Sequence, residues 1–216
     1  MITFSSPAAA QVYGEYERRN AEEQVRAAAL GKDLFAHRDE FLLPVGPEVG
    51  AFLHSLVLAR RPARLLELGT SYGYSTLILA DAARQVGAKL VTMELADYKQ
   101  AEARRQIASA GLADAVDFRL GDALAMTNAD RGAPFEFILL DIWKELYVPC
   151  LQAFYPKLAP EGIVAADNMV EPVYARDSAR AYRQALGQLA DMQTTLLPIG
   201  SGIELSVRWP AGHHKL

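Results

Sequence analysis

A chain of 216 residues, 51% hydrophobic and 22% charged, is long enough for one domain with a sizeable core and too apolar for a disordered segment. Its formal net charge of −4 argues against a broad nucleic-acid footprint, and no apolar run approaches the roughly 18 residues that a membrane span requires. The first ten residues lack the basic start and apolar block of a signal peptide, and the single cysteine, Cys150, has no partner for an internal disulfide, which together fit a cytoplasmic setting.

Residues 8–30, rich in Ala, Glu, Arg and Gln, predict a long helix ended near Gly31. Arg18, Arg19 and Arg26 alternate there with Glu15, Glu22 and Glu23, as Arg104 and Arg105 do with Glu102, a pattern that reads as solvated helix faces. A break follows at residues 42–47, and Pro47 suits the first turn of a second helix over 48–59. The pattern then changes. Strands are predicted at 64–69, 89–94, 116–120, 135–141 and 162–166, separated by helices at 75–86, 97–110, 145–158 and 178–192. Alternating strands and helices imply a parallel sheet covered on both faces. Residues 194–199 and 203–209 are two further strands joined by Gly200-Ser201-Gly202, which is hairpin chemistry. The expected architecture is α/β: a doubly wound sheet of about seven strands, mostly parallel, ending in an antiparallel hairpin. Residues 1–60 are expected to form a helical cap on a core at 61–216 within one domain.

Such sheets bind ligands beyond the carboxyl ends of their strands, so polar residues at those ends are the candidates. The first strand runs into Glu67-Leu68-Gly69-Thr70-Ser71-Tyr72-Gly73-Tyr74-Ser75, where two glycines permit close backbone approach before a helix N-terminus. The spacing is not G-x-G-x-x-G, and a tight strand-to-helix turn explains it equally well. The second strand ends in Glu94, placed either to accept from the hydroxyls of a ribose or to cap a helix. Asp122-Ala123, after the third strand, can lie along an adenine edge, and Asp122 can also be an N-cap. Asp141 ends the apolar fourth strand, and Asp167-Asn168 ends the fifth. Two carboxylates and an amide make an oxygen-only cluster suited to a hard divalent cation, with paired helix caps as the bland reading.

These residues resemble the cation-dependent O-methyltransferases, the group that includes catechol and caffeoyl-CoA O-methyltransferases. The resemblance extends over residues 42–208 and rests on Leu66-Glu67-Leu68-Gly69-Thr70-Ser71-Tyr72-Gly73-Tyr74-Ser75, Leu140-Asp141-Ile142-Trp143-Lys144-Glu145-Leu146-Tyr147 and Ala166-Asp167-Asn168. It implies a Rossmann-like fold in which Val45, Glu67, Gly69, Thr70, Ser75 and Glu94 line the S-adenosylmethionine site and Asp122 and Ala123 flank the adenine. Asp141, which also borders the cofactor, would hold the cation with Asp167 and Asn168. Mg²⁺ is the first expectation, with Mn²⁺ or Ca²⁺ as alternatives. Lys144 is implied as general base. Two positions depart from the catechol enzyme: Ile142 replaces a histidine, and no acid stands near Thr195, where that enzyme carries a glutamate for the second catechol hydroxyl. Both argue against catechol itself as acceptor.

The chemistry expected is methyl transfer from a sulfonium to a hydroxyl of a small molecule, a catechol-like compound or vicinal diol. A neutral hydroxyl is a poor nucleophile at pH 7; a bound cation lowers its pKa, and a lysine base can take the proton where burial and the cation favour its neutral form. Trp143 and Tyr147 either flank a planar acceptor or belong to the core. His37, His54, His213 and His214 have no metal-binding spacing with the acids, and Cys150 reads as a small buried residue. Two rival functions are carried: methylation of a hydroxylated uridine in transfer RNA, disfavoured by the acidic balance, and NAD-linked oxidation, disfavoured by the missing G-x-G-x-x-G. A homodimer is expected, with the N-terminal helix and last strands supplying the contact.

Overall fold

Seven stretches of the chain pair into one sheet: β1 (Arg64–Leu68), β2 (Lys89–Glu94), β3 (Val116–Leu120), β4 (Phe135–Leu140), β5 (Leu158–Ala166), β6 (Met192–Leu197) and β7 (Ile203–Arg208). Their order is β3-β2-β1-β4-β5-β7-β6. The first five are mutually parallel, and β7 runs antiparallel to both β5 and β6. The computed structural model describes residues 2–209, without the side chains of Lys32 and Phe35. His213 and His214 lie outside the described residues.

The central strands are apolar because both of their faces are covered. Leu65, Leu90, Phe137 and Leu139 point into one core layer, and Leu66, Leu68, Ile138 and Leu140 into the other, as the period of two in a strand requires. The first layer lies against α1 (Pro7–Leu30), α3 (Pro47–Arg60) and α4 (Tyr74–Val86), with α5 (Asp97–Ser109) beside them. The second lies against α6 (Ala123–Ala129), α7 (Tyr147–Phe154) and α8 (Arg176–Gly187). Each fully buried leucine contributes about 2 kcal/mol. The edge strands β3 and β6 are only partly buried. No described helix is long and apolar enough to cross a membrane.

Local chemistry sets the element ends. Ser6 caps α1 by accepting from Ala9 N–H, with Pro7 at the first helical position. Pro47 opens α3 in the same way. A short helix, α2 (Leu34–His37), between two 3₁₀ turns occupies a stretch that carries no periodic signal in the sequence.

Several boundaries differ from expectation, among them that of β5, which starts at Leu158 rather than at residue 162. The helix predicted over 145–158 is shorter, because a 3₁₀ turn at Lys144–Leu146 precedes it and a second, containing Pro156, ends it. The helix predicted over 178–192 stops at Gly187, and β6 begins at Met192, two residues ahead of the predicted strand. Glu23, read as part of a solvated face, is buried: it accepts from Arg19 and from the backbone N–H of Leu42, tying the chain after α2 back onto α1.

Candidate active site

The strand order reverses between β1 and β4, which opens a crevice at their carboxyl ends. Asp141 N–H donates to Leu68 C=O (3.0 Å) and Asp167 N–H to Leu140 C=O (3.1 Å), so the residues that follow β1, β4 and β5 are stitched side by side. Gly69 sits at the closest approach. Its φ is +103°, and a Cβ there would lie 2.0 Å from the carbonyl oxygen of Asp141. Only glycine meets both demands.

The glycine turn is held from below. Glu67 is fully buried, and its carboxylate accepts from Ser75 (2.7 Å), Thr76 (2.6 Å) and Thr92 (2.6 Å). Thr70 completes the chain by donating to Thr92 Oγ1 at 2.6 Å, since the Thr92 proton is already committed to Glu67. Burial pushes the Glu67 carboxyl up to about 7, against the pull of the three hydroxyls. Glu67, Thr70 and Ser75, expected to line the cofactor pocket, therefore lie together as a buried brace that orients the first turn of α4. Helix α1 braces the turn from the side: Tyr16 Oη donates to Tyr72 C=O at 2.6 Å, and Tyr72 Oη donates to Asp39 C=O.

Glu94 turns its carboxylate toward the same loop. One oxygen accepts from Ser71 N–H (2.8 Å), the other from Leu95 and Ala96 N–H. A carboxylate offers about four acceptor directions, so one remains for a ligand hydroxyl. Asp122 caps α6 through Ala125 N–H (2.7 Å), and Ala123 is buried beside it. Val45 is largely buried, and its carbonyl lies near Gly200 in the β6–β7 turn, at the same end of the sheet.

Around β4 and β5 the charged side chains converge. Lys144 Nζ lies 3.0 Å from Asp141 Oδ1 and 2.7 Å from Tyr147 Oη. Tyr147 Oη in turn lies 2.8 Å from Asp167 C=O and 3.1 Å from Leu140 C=O. Asp167 is 2% exposed and accepts from Asn168 N–H at 2.7 Å. Burial, and then the charge of Asp141, push its carboxyl up to about 7, while Asn168 N–H and Lys144 act the other way. Asn168 adopts φ +57°, a left-handed conformation that asparagine tolerates. Among the described residues no three His, Cys, Asp or Glu side chains meet at metal-binding spacing; Asp141 lies close enough to Asp167 for its charge to raise that carboxyl, and Asn168 is the next residue in the chain.

Sequence reasoning left Tyr147 undecided between site and core, and the structure gives it contacts of both kinds. Its ring packs against Tyr182, as a core residue would, while its hydroxyl joins Lys144 to two strand ends. A tyrosine three residues after Lys144 was the available signal. Trp143 is 44% exposed, with the Arg38 guanidinium 4.9 Å above its ring. Two other candidates lie outside the crevice. His54 is buried and meets Asp81 at 3.1 Å, where Asp81 also accepts from Ser5 and Gln85. Cys150 is buried in α7, and burial pushes its thiol up to about 12, which leaves it unreactive.

A doubly wound sheet with a glycine turn at its switch point, an acid ending the second strand and an N-capping aspartate ending the third defines a nucleotide-type cofactor site. The family model described as O-methyltransferase matches residues 20–209, and the chain belongs to that family. It is 36% identical over 163 residues to a probable O-methyltransferase of Mycobacterium tuberculosis, covering 70% of this chain and 69% of that protein. It is 30% identical over 167 residues to a catechol O-methyltransferase of Niastella koreensis, covering 72% and 75%. Among solved structures, an O-methyltransferase from Bacillus cereus in complex with S-adenosylhomocysteine superposes with a TM-score of 0.74 at 26% identity, over 92% of this chain and 90% of that one. TomG from Streptomyces achromogenes, in complex with S-adenosylmethionine, gives 0.71 at 26% identity over 91% and 99%. The enzyme is an S-adenosylmethionine-dependent O-methyltransferase with a Rossmann-like fold, which displaces the NAD-linked reading.

Proposed function

We propose that this enzyme methylates one hydroxyl of a small vicinal diphenol or diol, in a site that also takes a divalent cation, Mg²⁺ before Mn²⁺ or Ca²⁺. The observation that carries the reading is the amine of Lys144, held between Asp141 and Tyr147 beside a buried Asp167. The donor set fits a hard cation: all three candidate ligands offer oxygen, and a carboxyl raised to about 7 by burial and a like charge is one that a cation would relieve. Asp141, Asp167 and the Asn168 side-chain oxygen would hold the ion, which supplies Lewis acidity that lowers the pKa of the acceptor hydroxyl. S-adenosylmethionine supplies the methyl group on its sulfonium.

The remaining work belongs to the chain. Gly69 and Gly73 let the turn approach the cofactor, and the free acceptor direction of Glu94 receives a ribose hydroxyl. Asp122 and Ala123 border the adenine. Asp141 Oδ1 and Tyr147 Oη hold the Lys144 amine in place, where it can take the proton of the acceptor hydroxyl. Fixing the amine before reaction removes the orientational cost of a mobile lysine, and positioning of this kind contributes several kcal/mol.

The test is methyl transfer from S-adenosylmethionine to vicinal diphenols, followed by product mass, with added Mg²⁺ and with excess chelator. Transfer is expected with Mg²⁺ and at least about a hundredfold less with chelator. Full activity in chelator removes the cation from the site. Failure to methylate any vicinal diphenol while S-adenosylhomocysteine still binds removes the acceptor class.

A further inference from the structure

Helix α1 and the residues before it are bonded to α4 at two places. At the first, Asp81 lies fully buried within α4 and takes four hydrogen bonds. Ser5 gives Asp81 Oδ1 both its N–H (2.9 Å) and its hydroxyl (2.6 Å), while His54 Nε2 (3.1 Å) and the Gln85 amide (2.8 Å) meet Oδ2. A carboxylate offers about four acceptor directions, so all of them are used. Burial acts to raise this carboxyl, yet the bonds from His54, Ser5 and Gln85 hold it below the ordinary value. Ser6, the next residue, caps α1, so the place where Ser5 is held is the place where the helix begins.

At the second, α1 meets the glycine turn. Tyr16 Oη donates to Tyr72 C=O at 2.6 Å, the Arg19 guanidinium lies 4.4 Å from the centre of the Tyr72 ring, and Glu17 accepts from Tyr74 Oη at 2.5 Å. Gly73 is packed against this contact, since a Cβ there would lie 2.9 Å from Tyr16 Oη. Tyr74 opens α4 and Asp81 lies about two turns further on, so α1 runs antiparallel to α4 with a bond near each end of the overlap.

From this geometry we infer that Asp81, outside the crevice, is a positioning residue for the methyl donor: by holding Ser5 it sets the register of α1, and Tyr16 then fixes the Tyr72 carbonyl within the turn that receives S-adenosylmethionine. This role rests on reading the Gly69–Gly73 turn as the seat of the cofactor. Three physical points support it. A helix rises about 1.5 Å and turns about 100° per residue, so a slip of one residue carries Tyr16 Oη out of hydrogen-bond range. The Tyr72 carbonyl would then be a buried acceptor without its donor, and the turn would have to move to satisfy it. Withdrawing Ser5 strips Asp81 Oδ1 of both its donors, so the first bond resists release.

The experiment measures Kd for S-adenosylhomocysteine by calorimetry, and Tm in parallel, on wild type, Ser5→Ala, Ser5→Thr, Tyr16→Phe and the pair Ser5→Ala with Tyr16→Phe. Ser5→Ala and Tyr16→Phe are each expected to raise Kd at least threefold, and Ser5→Thr, which keeps the hydroxyl, to stay within twofold of wild type. Because Ser5 acts through Tyr16, the pair is expected to bind within twofold of Tyr16→Phe alone. Leu186→Ala opens a cavity in the other core layer; it should lower Tm while Kd stays within twofold, since lost stability alone leaves the affinity of the folded protein unchanged. A Ser5→Ala Kd raised less than threefold overturns the inference. So do losses that multiply in the pair, or a Leu186→Ala Kd raised as far as that of Ser5→Ala. Wild-type binding by Gly69→Ala removes the turn as the cofactor's seat, and the inference with it; loss of binding there beside an unchanged Ser5→Ala removes the inference alone.

Discussion

The Lys144 amine and the Tyr147 phenol sit 2.7 Å apart, and the phenol is also within hydrogen-bond reach of the Asp167 and Leu140 carbonyls. One phenolic proton serves those carbonyls, so the oxygen is left to accept from Lys144. Tyr147→Phe keeps the ring packing on Tyr182 and removes only this junction. Its kcat is expected to fall about 10- to 100-fold, while KM for S-adenosylmethionine stays within about threefold. Stability should drop by about 1–3 kcal/mol in urea, for the Asp167 carbonyl that loses its phenolic donor. Unchanged kcat would reduce Tyr147 to a core residue.

Lys144→Ala removes the proposed base outright. Turnover is expected to fall by roughly 10² to 10⁴, with S-adenosylhomocysteine affinity by calorimetry changed no more than a few-fold. The split between lost turnover and retained binding distinguishes loss of a base from collapse of the site. An alanine variant with wild-type turnover would take Lys144 out of the chemistry.

Gly69→Ala tests the crevice itself. The new Cβ would meet the Asp141 carbonyl oxygen at 2.0 Å, and φ +103° alone costs about 1–3 kcal/mol for a residue with a side chain. Separation of β1 from β4 relieves it, and that parts the glycine turn from Asp141. S-adenosylhomocysteine binding should fall below detection, and Tm should drop by about 5 °C or more. Wild-type binding in this variant would mean that the two strand ends need not touch.

Glu67 provides the pH test. Its folded carboxyl titrates near 7 rather than at the ordinary 4.5, mainly because of burial. Between those values the native state binds more protons than the unfolded chain, so the contribution of this group to stability is full below pH 4.5 and is lost as pH rises to 7. The loss amounts to about 3 kcal/mol. Asp167, also raised to about 7, adds a slope of the same sign. Glu67→Gln should remove roughly half of the decline in unfolding free energy between pH 4.5 and 7, measured by urea titration at several pH values. An unchanged slope would show that the Glu67 carboxyl titrates alike in both states.

The arrangement of apolar runs and turn residues already determined the strands. β2 and β3 have the predicted limits, and β1, β4 and β7 end one residue before the predicted ones; for the central β1, β2 and β4 the signal is the apolar run that a buried parallel strand leaves. The strand-end polar residues were legible for the same reason. Asp141 after Phe135–Leu140 and Asp167 after β5 interrupt apolar runs at the positions where such sheets bind ligands.

What the chain alone left open depends on contacts between residues far apart in sequence. Whether Glu67 faces the ligand or lies beneath the turn depends on Ser75, Thr76 and Thr92 meeting it from another helix and strand. Whether Tyr147 is core or site depends on which carbonyls its hydroxyl reaches. The 3₁₀ turn at Lys144–Leu146, which aims the lysine back at Asp141, is too short for a periodic signal. Nor could Arg38 be joined to Trp143, because no local pattern in the chain links residues so far apart. Periodicity records which face of an element is buried; only the packed structure decides which buried polar atom meets which.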